Sequence, residues 1–359
     1  MEQELAYLVA FSMVDWLGAK AIRTLRQQAG TLENAWNQSL AWKTAVVGPA
    51  AANRMQDAMH RIEPAAVYED VRRQGIGLLD DASPWYPDWL RKTRNPPVLL
   101  YYRGNPKLLG QEGIAVIGSR KATPYGRKTA RFFGRELVEA GFTVISGMAA
   151  GIDAESHRGA LEAQGSTIGV LGNGLNVVYP RENRELYQSV AAEGLLISEH
   201  HPDTTPRPEH FPVRNRIIAG LARGILVVEA AQRSGALITV EYALAEGREV
   251  FAVPGPIFSE QSRGSNGLIR EGAKIACSIQ EILEELRFGI DQLPICNNNM
   301  EDRQIESCLF DILGYEPVGI DTLIESSGLS HGELSGELLR LELQGAVAAL
   351  PGNRYVRIG

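Results

Sequence analysis

Between Ile114 and Arg135 the chain carries six basic residues, Arg120, Lys121, Arg127, Lys128, Arg131 and Arg135, and no acidic one. The protein as a whole has a formal net charge of -7, so this is a local excess, and it follows directly on Gly118-Ser119. Cations beside a glycine turn suit an anion, because glycine lets backbone amides come close while guanidinium and ammonium groups neutralise charge. A second glycine turn runs from Ser146-Gly147 through Gly151-Ile152-Asp153, and a third, Gly172-Asn173-Gly174, is followed by Arg181 and Arg184. A further segment, Phe211-Pro212-Val213-Arg214-Asn215-Arg216, sets an aromatic ring beside two guanidinium groups after the proline-rich loop His201 to Pro212. Rings for bases and cations for phosphates are what a single nucleic-acid strand exploits. The expected ligand carries phosphate.

Each motif also has a plainer reading. Gly118, Gly147 and Gly151 would serve any tight strand-to-helix turn. Phe211 could staple the helix beginning near residue 214, with Arg214 or Arg216 paired to a core carboxylate, and Asn173 could act as a cap. Asp153 and Glu229 lie near strand ends, where two carboxylates could do acid-base work, but Asp153 equally suits a helix cap. The glycine pattern is not G-x-G-x-x-G and no lone acidic residue ends the next strand, which disfavours NAD. Cys277, Cys296 and Cys308 are odd in number and lack metal-ligand spacing, and His157 and His200-His201 are unremarkable. No metal, cofactor or disulfide framework is expected.

The elements that must position these residues follow from periodicity. Gly113 to Gly118 reads as a buried strand; Thr123 suits an N-cap and Pro124 a first turn. Ala130, Phe133, Leu137 and Val138 then recur at helical spacing to about Ala140, where Gly141 stops the helix, and Phe142 to Ser146 forms the next strand. The alternation continues with strands at 167–171, 195–198, 224–229 and 249–253 and helices near 153–164, 182–193, 214–222 and 235–246. Strands apolar throughout and separated by helices imply an α/β fold, a doubly wound, mostly parallel sheet covered on both faces.

The flanks read differently. Residues 1–85 are expected to be a helical domain, with Leu5, Leu8, Val9, Met13 and Trp16 in one stripe and a glycine turn at Leu17-Gly18 of the kind found in helix-hairpin-helix and sterile-alpha-motif (SAM) folds. Pro-rich and aromatic residues open the central domain, 86–290, as a docking connector whose Val98 to Tyr102 would be an edge strand. A linker at 291–300 precedes a winged helix at 301–359, with helices near 303–313, 319–326 and 330–344 and a terminal hairpin. That last segment has ten acidic residues against four basic, a net of -6, which favours a protein-contact or packing role over contact with DNA. Ile279, Ile282, Leu283 and Leu286 form a stripe that must be buried on its own domain or on a second copy, so Ile282, Leu283 and Leu286 are candidate dimer-interface residues. An acidic start and the lack of any membrane-length apolar stretch point to the cytoplasm, with no membrane association.

With these motifs in place, the chain resembles the DNA-processing protein A (DprA, or Smf) family over nearly its whole length. The resemblance rests on Gly118-Ser119-Arg120, Ser146 to Asp153, Tyr179-Pro180, Phe211 to Ile218, Ser234 to Thr239 and Val253-Pro254-Gly255, six motifs in order. It implies an extended Rossmann domain that binds single-stranded DNA, dimerises, protects incoming DNA and loads the RecA recombinase during natural transformation, without being an enzyme. The residues expected to meet DNA phosphate or bases are Gly118, Ser119, Arg120, Lys121, Ser146, Gly147, Gly151, Asn173, Arg184, Phe211, Arg214, Asn215 and Arg216. The competing expectation is a phosphoribohydrolase-like nucleotide enzyme, whose Pro-Gly-Gly-x-Gly-Thr-x-x-Glu loop Ser234 to Glu241 faintly resembles. This chain has a single glycine there, and Leu237 and Ile238 are apolar where backbone must approach phosphate.

Overall fold

A computed structural model of the chain describes residues 2–14, 16–286, 313, 317–327, 334, 338, 341–342, 346–350 and 354–357. The expected linker and most of the expected helices at 303–313 and 330–344 lie outside the described residues. The chain divides into a unit Met1–Gln292 and a unit Leu293–Gly359.

Six helices open the first unit: α1 (Glu2–Ser12), α2 (Ala19–Ala29), α3 (Leu32–Asn37), α4 (Leu40–Val47), α5 (Pro49–Met59) and α6 (Pro64–Arg73). There follow β1 (Gly77–Asp80), α7 (Asp88–Arg91), β2 (Leu99–Gly104), β3 (Gly113–Ile117), α8 (Pro124–Glu139), β4 (Thr143–Ser146), α9 (Ile152–Glu162), β5 (Thr167–Leu171), α10 (Arg184–Glu193) and β6 (Leu195–Ser198). The unit closes with α11 (His210–Leu221), β7 (Gly224–Val227), α12 (Ala236–Ala245), β8 (Glu249–Ala252), α13 (Arg263–Arg270), β9 (Lys274–Ile275) and α14 (Ile279–Glu285).

The nine strands form one sheet in the order β1-β2-β6-β5-β4-β3-β7-β8-β9. From β3 the chain steps outward through β4, β5 and β6, then returns to lay β7 along the opposite edge of β3, so a topological switch point lies between β3 and β7. All pairings are parallel except β1 with β2 and β2 with β6. Side chains alternate across the sheet as strand geometry requires. Ile114 and Val116 pack with Phe133 and Leu137 of α8 and Ile152 of α9, while Ala115 and Ile117 pack with Ile217 and Ile218 of α11 and Val240 of α12. Both faces are covered, which makes the fold a doubly wound α/β structure.

Several expectations need correction. Residues 77–80 fall inside the segment expected to be helical, yet they form β1, which pairs with β2 through Leu79 and Leu100. β2 is therefore not an edge strand; it lies between β1 and β6. The helical segment also shares its core with the sheet: Leu8, Val9 and Phe11 cluster with Leu99 and Tyr101, and the Ser12 and Tyr101 hydroxyls meet at 2.8 Å. Trp16, placed in the apolar stripe by spacing, is 82% exposed, because the helix ends at Ser12 and the residue sits at φ 61° in the turn beyond it.

The stripe on α14 is a further correction. Ile282 is 0% exposed and joins Leu283 and Leu286 in the cluster that contains Phe133 and Phe251. These side chains are core of their own domain, because α14 folds back over the face already occupied by α8. They do not form a free surface for a second copy.

In the second unit β10 (Val318–Gly319), α15 (Ile320–Ser327), β11 (Val347–Leu350) and β12 (Arg354–Arg357) are described. The strands form an antiparallel sheet ordered β10-β12-β11, and Leu313, Leu323, Leu334, Leu338, Leu341 and Val347 are buried together. No helix among the described residues is long and apolar enough to cross a membrane.

Candidate nucleic-acid interface

The carboxyl ends of β3 and β7 open into a cleft of about 540 Å³ in unit 1, lined on one side by Gly118 to Lys121 and on the other by Phe211, Pro212, Arg214 and Asn215 of α11. A smaller recess of about 70 Å³ continues it past Gly147, Gly172, Asn173 and Tyr179. Ligands of open α/β sheets bind in this position, outside the switch point.

The turn after β3 is held rigidly. Ser119 N donates to Glu229 O at 2.7 Å and Ile152 N to Ser119 O at 3.2 Å. The Ser119 hydroxyl donates to Gln261 Oε1 at 2.6 Å and accepts from Lys121 N at 3.0 Å. Gly151 sits at φ 80°, and a Cβ there would come within 2.3 Å of Ser119 O, so only glycine lets the second turn press against the first.

This packing pushes Arg120 and Lys121 outward to the exposed rim. The Arg120 guanidinium lies 5.4 Å from the Phe211 ring centre, and the rings of Phe211 and Tyr179 follow at 5.4 Å between centroids, inclined by 32°. Cation, ring and ring thus form a row along the cleft. Of the six basic residues found in sequence, Arg131 pairs with Glu155 and Glu162 and Arg135 with Glu136 and Glu139. Among the described residues Arg120, Lys121, Arg127 and Lys128 form no ion pair, so their charge is available to a ligand.

Arg214 forms the floor. It is 5% exposed, and its Nη1 donates to Gly147 O at 2.9 Å and to Val170 O, tying the ends of β4 and β5 together. Asp153 beside it accepts from Gly147 N at 3.1 Å and Ala149 N at 3.4 Å. Burial pushes the Asp153 carboxyl up, with the neighbouring Arg214 opposing that shift. Burial lowers Arg214 to about 10, still charged at neutral pH. Asn215 also lines the cleft.

Other expected site residues lie elsewhere. Ser146 is fully buried beneath the floor, its hydroxyl donating to Val116 O at 2.6 Å. Asn173 borders the recess, but its amide is spent on Gly174 O at 3.0 Å and Val177 O at 2.6 Å. Arg184 is exposed at the start of α10 and lines neither cavity. Arg216 points away, donating to Asn95 O at 2.7 Å and pairing with Glu199; one helical turn cannot aim Arg214 and Arg216 at the same place.

The expected free turn amides are mostly engaged as well. Ser119 N, Gly147 N and Ala149 N all have internal partners. Thr123 caps α8 as expected, accepting from Gly126 N at 3.1 Å. Asp153 does not cap its helix, whose N-cap is Gly151; it binds the loop ahead of it. Glu229 accepts from Thr123 N at 2.9 Å and Thr123 Oγ1 at 2.5 Å, so neither carboxylate is poised for acid-base work. α11 begins at His210 rather than 214, because Pro212 fits a first helical turn. Tyr179 lies at the rim where the Tyr-Pro pair after the glycine turn puts it, whereas nothing in the sequence around Gln261 announces that lining residue.

A profile of DNA recombination-mediator protein A matches residues 78–287, and a DprA winged helix domain profile matches residues 299–353. Protein Smf of Synechocystis sp. is 34% identical, with 99% of both chains covered. The X-ray structure of DNA processing protein A from Streptococcus pneumoniae is similar with a TM-score of 0.70 and 36% identity, covering 78% of this chain and 97% of that one. A Helicobacter pylori DNA processing protein A, whose structure is described for its single-stranded DNA binding mode, is similar with a TM-score of 0.53 and 29% identity over 59% of this chain and 95% of its own.

Proposed function

Because the chain belongs to the DNA recombination-mediator protein A family, we propose that it binds single-stranded DNA along the cleft, protects it and loads a RecA recombinase onto it during natural transformation. The observation that carries the binding step is the row Arg120, Phe211 and Tyr179 above a cleft rimmed by cations without ion pairs. Unpaired bases stack on such rings whatever their sequence, and the cations neutralise phosphates. The contacting residues in this reading are Arg120, Lys121, Phe211, Tyr179 and Asn215, with Arg214 and Gly151 holding their positions. The Helicobacter pylori relative supports the choice of a single strand. Transfer to RecA, protection and homodimer formation rest on the family resemblance, and the dimer surface lies away from Ile282.

The protein acts here as a binding module with no catalytic centre of its own. The hydrolase reading lacks its key residue, since that family's Thr-x-x-Glu spacing, counted from Thr239, ends on Tyr242, and the adjacent Glu241 is exposed and does not line the cleft. Fluorescence anisotropy with a labelled oligo-dT and a duplex of equal length tests the proposal. The single strand should bind at least about tenfold more tightly, because base pairing hides the faces that Phe211 and Tyr179 need. Equal affinity would overturn it.

A further inference from the structure

One residue that lines the cleft comes from neither the first glycine turn nor α11. Gln261 sits in a short turn, Glu260–Ser262, between β8 and α13. Close approaches on either side of it fix where that turn lies. Gly264 N donates to Ala230 O at 2.6 Å, and a Cβ on Gly264 would stand 2.6 Å from the same oxygen. A Cβ on Gly255 would stand 2.2 Å from Ser262 Oγ. The Asn266 amide clamps Gly255, donating to its O and accepting from its N, each at 3.0 Å. The segment is thereby pressed against the loop after β7, whose Ala231 also lines the cleft.

Half of the Gln261 amide is already used. Ser119 Oγ accepts from Lys121 N at 3.0 Å, and its proton goes to Gln261 Oε1 at 2.6 Å. Nε2 lies at the other corner of the same planar amide; among the described residues it has no hydrogen-bond partner, and it is not buried. An amide held in this way presents its N–H groups to the cleft and turns its oxygen to Ser119. The turn amides that could otherwise meet a phosphate, Ser119 N, Gly147 N and Ala149 N, are engaged internally. Gln261 supplies the neutral donor that they do not.

We propose that Gln261 is a further binding residue for the strand, donating from Nε2 to a non-bridging phosphodiester oxygen, with Ser119 fixing it in the donating orientation. Pairing with adenine would need the amide oxygen beside the nitrogen. That oxygen faces Ser119, so the contact carries no base preference. Gln261 lies with Ser119 and Lys121, across the cleft from Phe211. Phosphates therefore run along the wall of Ser119, Lys121 and Gln261, and bases face the wall of Phe211 and Tyr179. A neutral donor on the phosphate wall holds the strand without releasing counterions, so its contribution survives at salt concentrations that weaken the cations. This inference rests on the single-strand reading.

Anisotropy titration of the full-length chain with labelled oligo-dT and with an abasic strand of equal length tests it. Gln261→Ala should bind oligo-dT at least about fivefold more weakly, as befits one hydrogen bond to a charged group. It should keep the wild-type log-log slope of affinity against salt, whereas Lys121→Ala should reduce the size of that slope by about 0.7. The Gln261→Ala loss should persist on the abasic strand, where the loss from Phe211→Ala disappears. Unchanged affinity in Gln261→Ala, or a loss that vanishes without bases, would overturn the proposal. So would a flattened salt slope, which would mean that Gln261 merely holds the turn presenting Arg120 and Lys121. If circular dichroism shows that Gln261→Ala does not fold, Gln261→Met, which keeps the length of the side chain without the amide, is read in the same way. A wild-type protein that binds neither strand would sink the single-strand reading and this inference together, while wild-type binding matched by Gln261→Ala sinks the inference alone.

Discussion

The Arg120 guanidinium stands 5.4 Å over the centre of the Phe211 ring, which joins the first glycine turn of the sheet to the first turn of α11. The pair needs no base or phosphate to form, so the cation and the stacking surface are in place before a strand arrives. Such preorganisation lowers the ordering cost of binding. Arg120→Ala and Phe211→Ala should each weaken single-strand binding by about 1–3 kcal/mol. The double variant should lose about 0.5–1 kcal/mol less than the sum, since each single change already breaks the shared contact. Anisotropy titrations on oligo-dT and on a mixed sequence check this, and the losses should match between the two. A folded Arg120→Ala protein with unchanged affinity would remove the assignment.

Salt dependence follows from which cations are free. With Arg131 and Arg135 tied to glutamates, Arg120, Lys121, Arg127 and Lys128 remain to displace counterions from the strand. Four phosphates at roughly 0.7 each give a log-log slope of about -3 between affinity and salt. Measuring the dissociation constant from 50 to 300 mM salt would test it. A slope near zero would mean that these four side chains stay solvated in the complex.

The fold could be read from sequence where a signal is local. The strands at 167–171 and 195–198, the cap at Thr123 and the glycine stop at Gly141 depend on neighbours a few residues away, and the structure has them where spacing puts them. β1 escaped because Leu78-Leu79 is too short a run to stand out from the helices before it. The site was legible in residue type but not in direction. Arg214 and Arg216 look alike as letters, yet the helix turns one into the floor and the other toward Glu199. Glu229 was invisible as a helix cap because its partner Thr123 lies far away in the chain, and only the pairing of β3 with β7 brings them together. The α14 stripe was read correctly as buried; spacing alone does not say against which surface.

Ile282 makes that last point testable. As part of the cluster with Phe133 and Phe251, Ile282→Ala should cost about 2–5 kcal/mol of stability through lost burial and the cavity left behind. Ile282→Arg should prevent cooperative folding of unit 1, because it buries an unpaired charge. Urea denaturation followed by circular dichroism reports both. A soluble, equally stable Ile282→Arg protein would place the side chain on a surface after all.

Acid should weaken the protein through two buried imidazoles. His157 Nδ1 meets Thr167 Oγ1 at 2.7 Å, and that hydroxyl already donates to Val144 O at 2.9 Å, so Nδ1 must carry the proton. Nε2 is buried without a partner. Burial lowers His157 to about 3, and burial with His210 stacked 4.2 Å away lowers His200 to about 4. Unfolded histidine titrates near 6.5, so the stabilisation from keeping the rings neutral is complete above that pH and is lost as pH falls toward 3. Each ring contributes a slope of up to about 1.4 kcal/mol per pH unit in that window. Urea midpoints from pH 7 to pH 4 should fall, and His157→Gln should show a shallower fall. An unchanged slope would show that other groups control acid stability.

The acidic second unit should add little to DNA affinity. Residues 301–359 hold ten acidic and four basic side chains, a net of -6, and the basic ones include Arg354 and Arg357 on β12 rather than a cluster on one helix. Winged helices that grip duplex DNA need cations along the face that enters the groove. A negative body tethered to unit 1 can repel a strand only weakly, and only within about 10 Å at 0.1 M salt. A chain ending at Gln292, where unit 1 ends, should therefore bind oligo-dT within about threefold of the full protein. Any difference should favour the shorter chain, grow at 50 mM salt and vanish near 0.5 M, where charges are screened within a few ångströms. A loss of binding of more than about tenfold on truncation, in a protein whose unit 1 keeps its circular dichroism, would place part of the DNA site on the winged helix and reverse the reading of its charge.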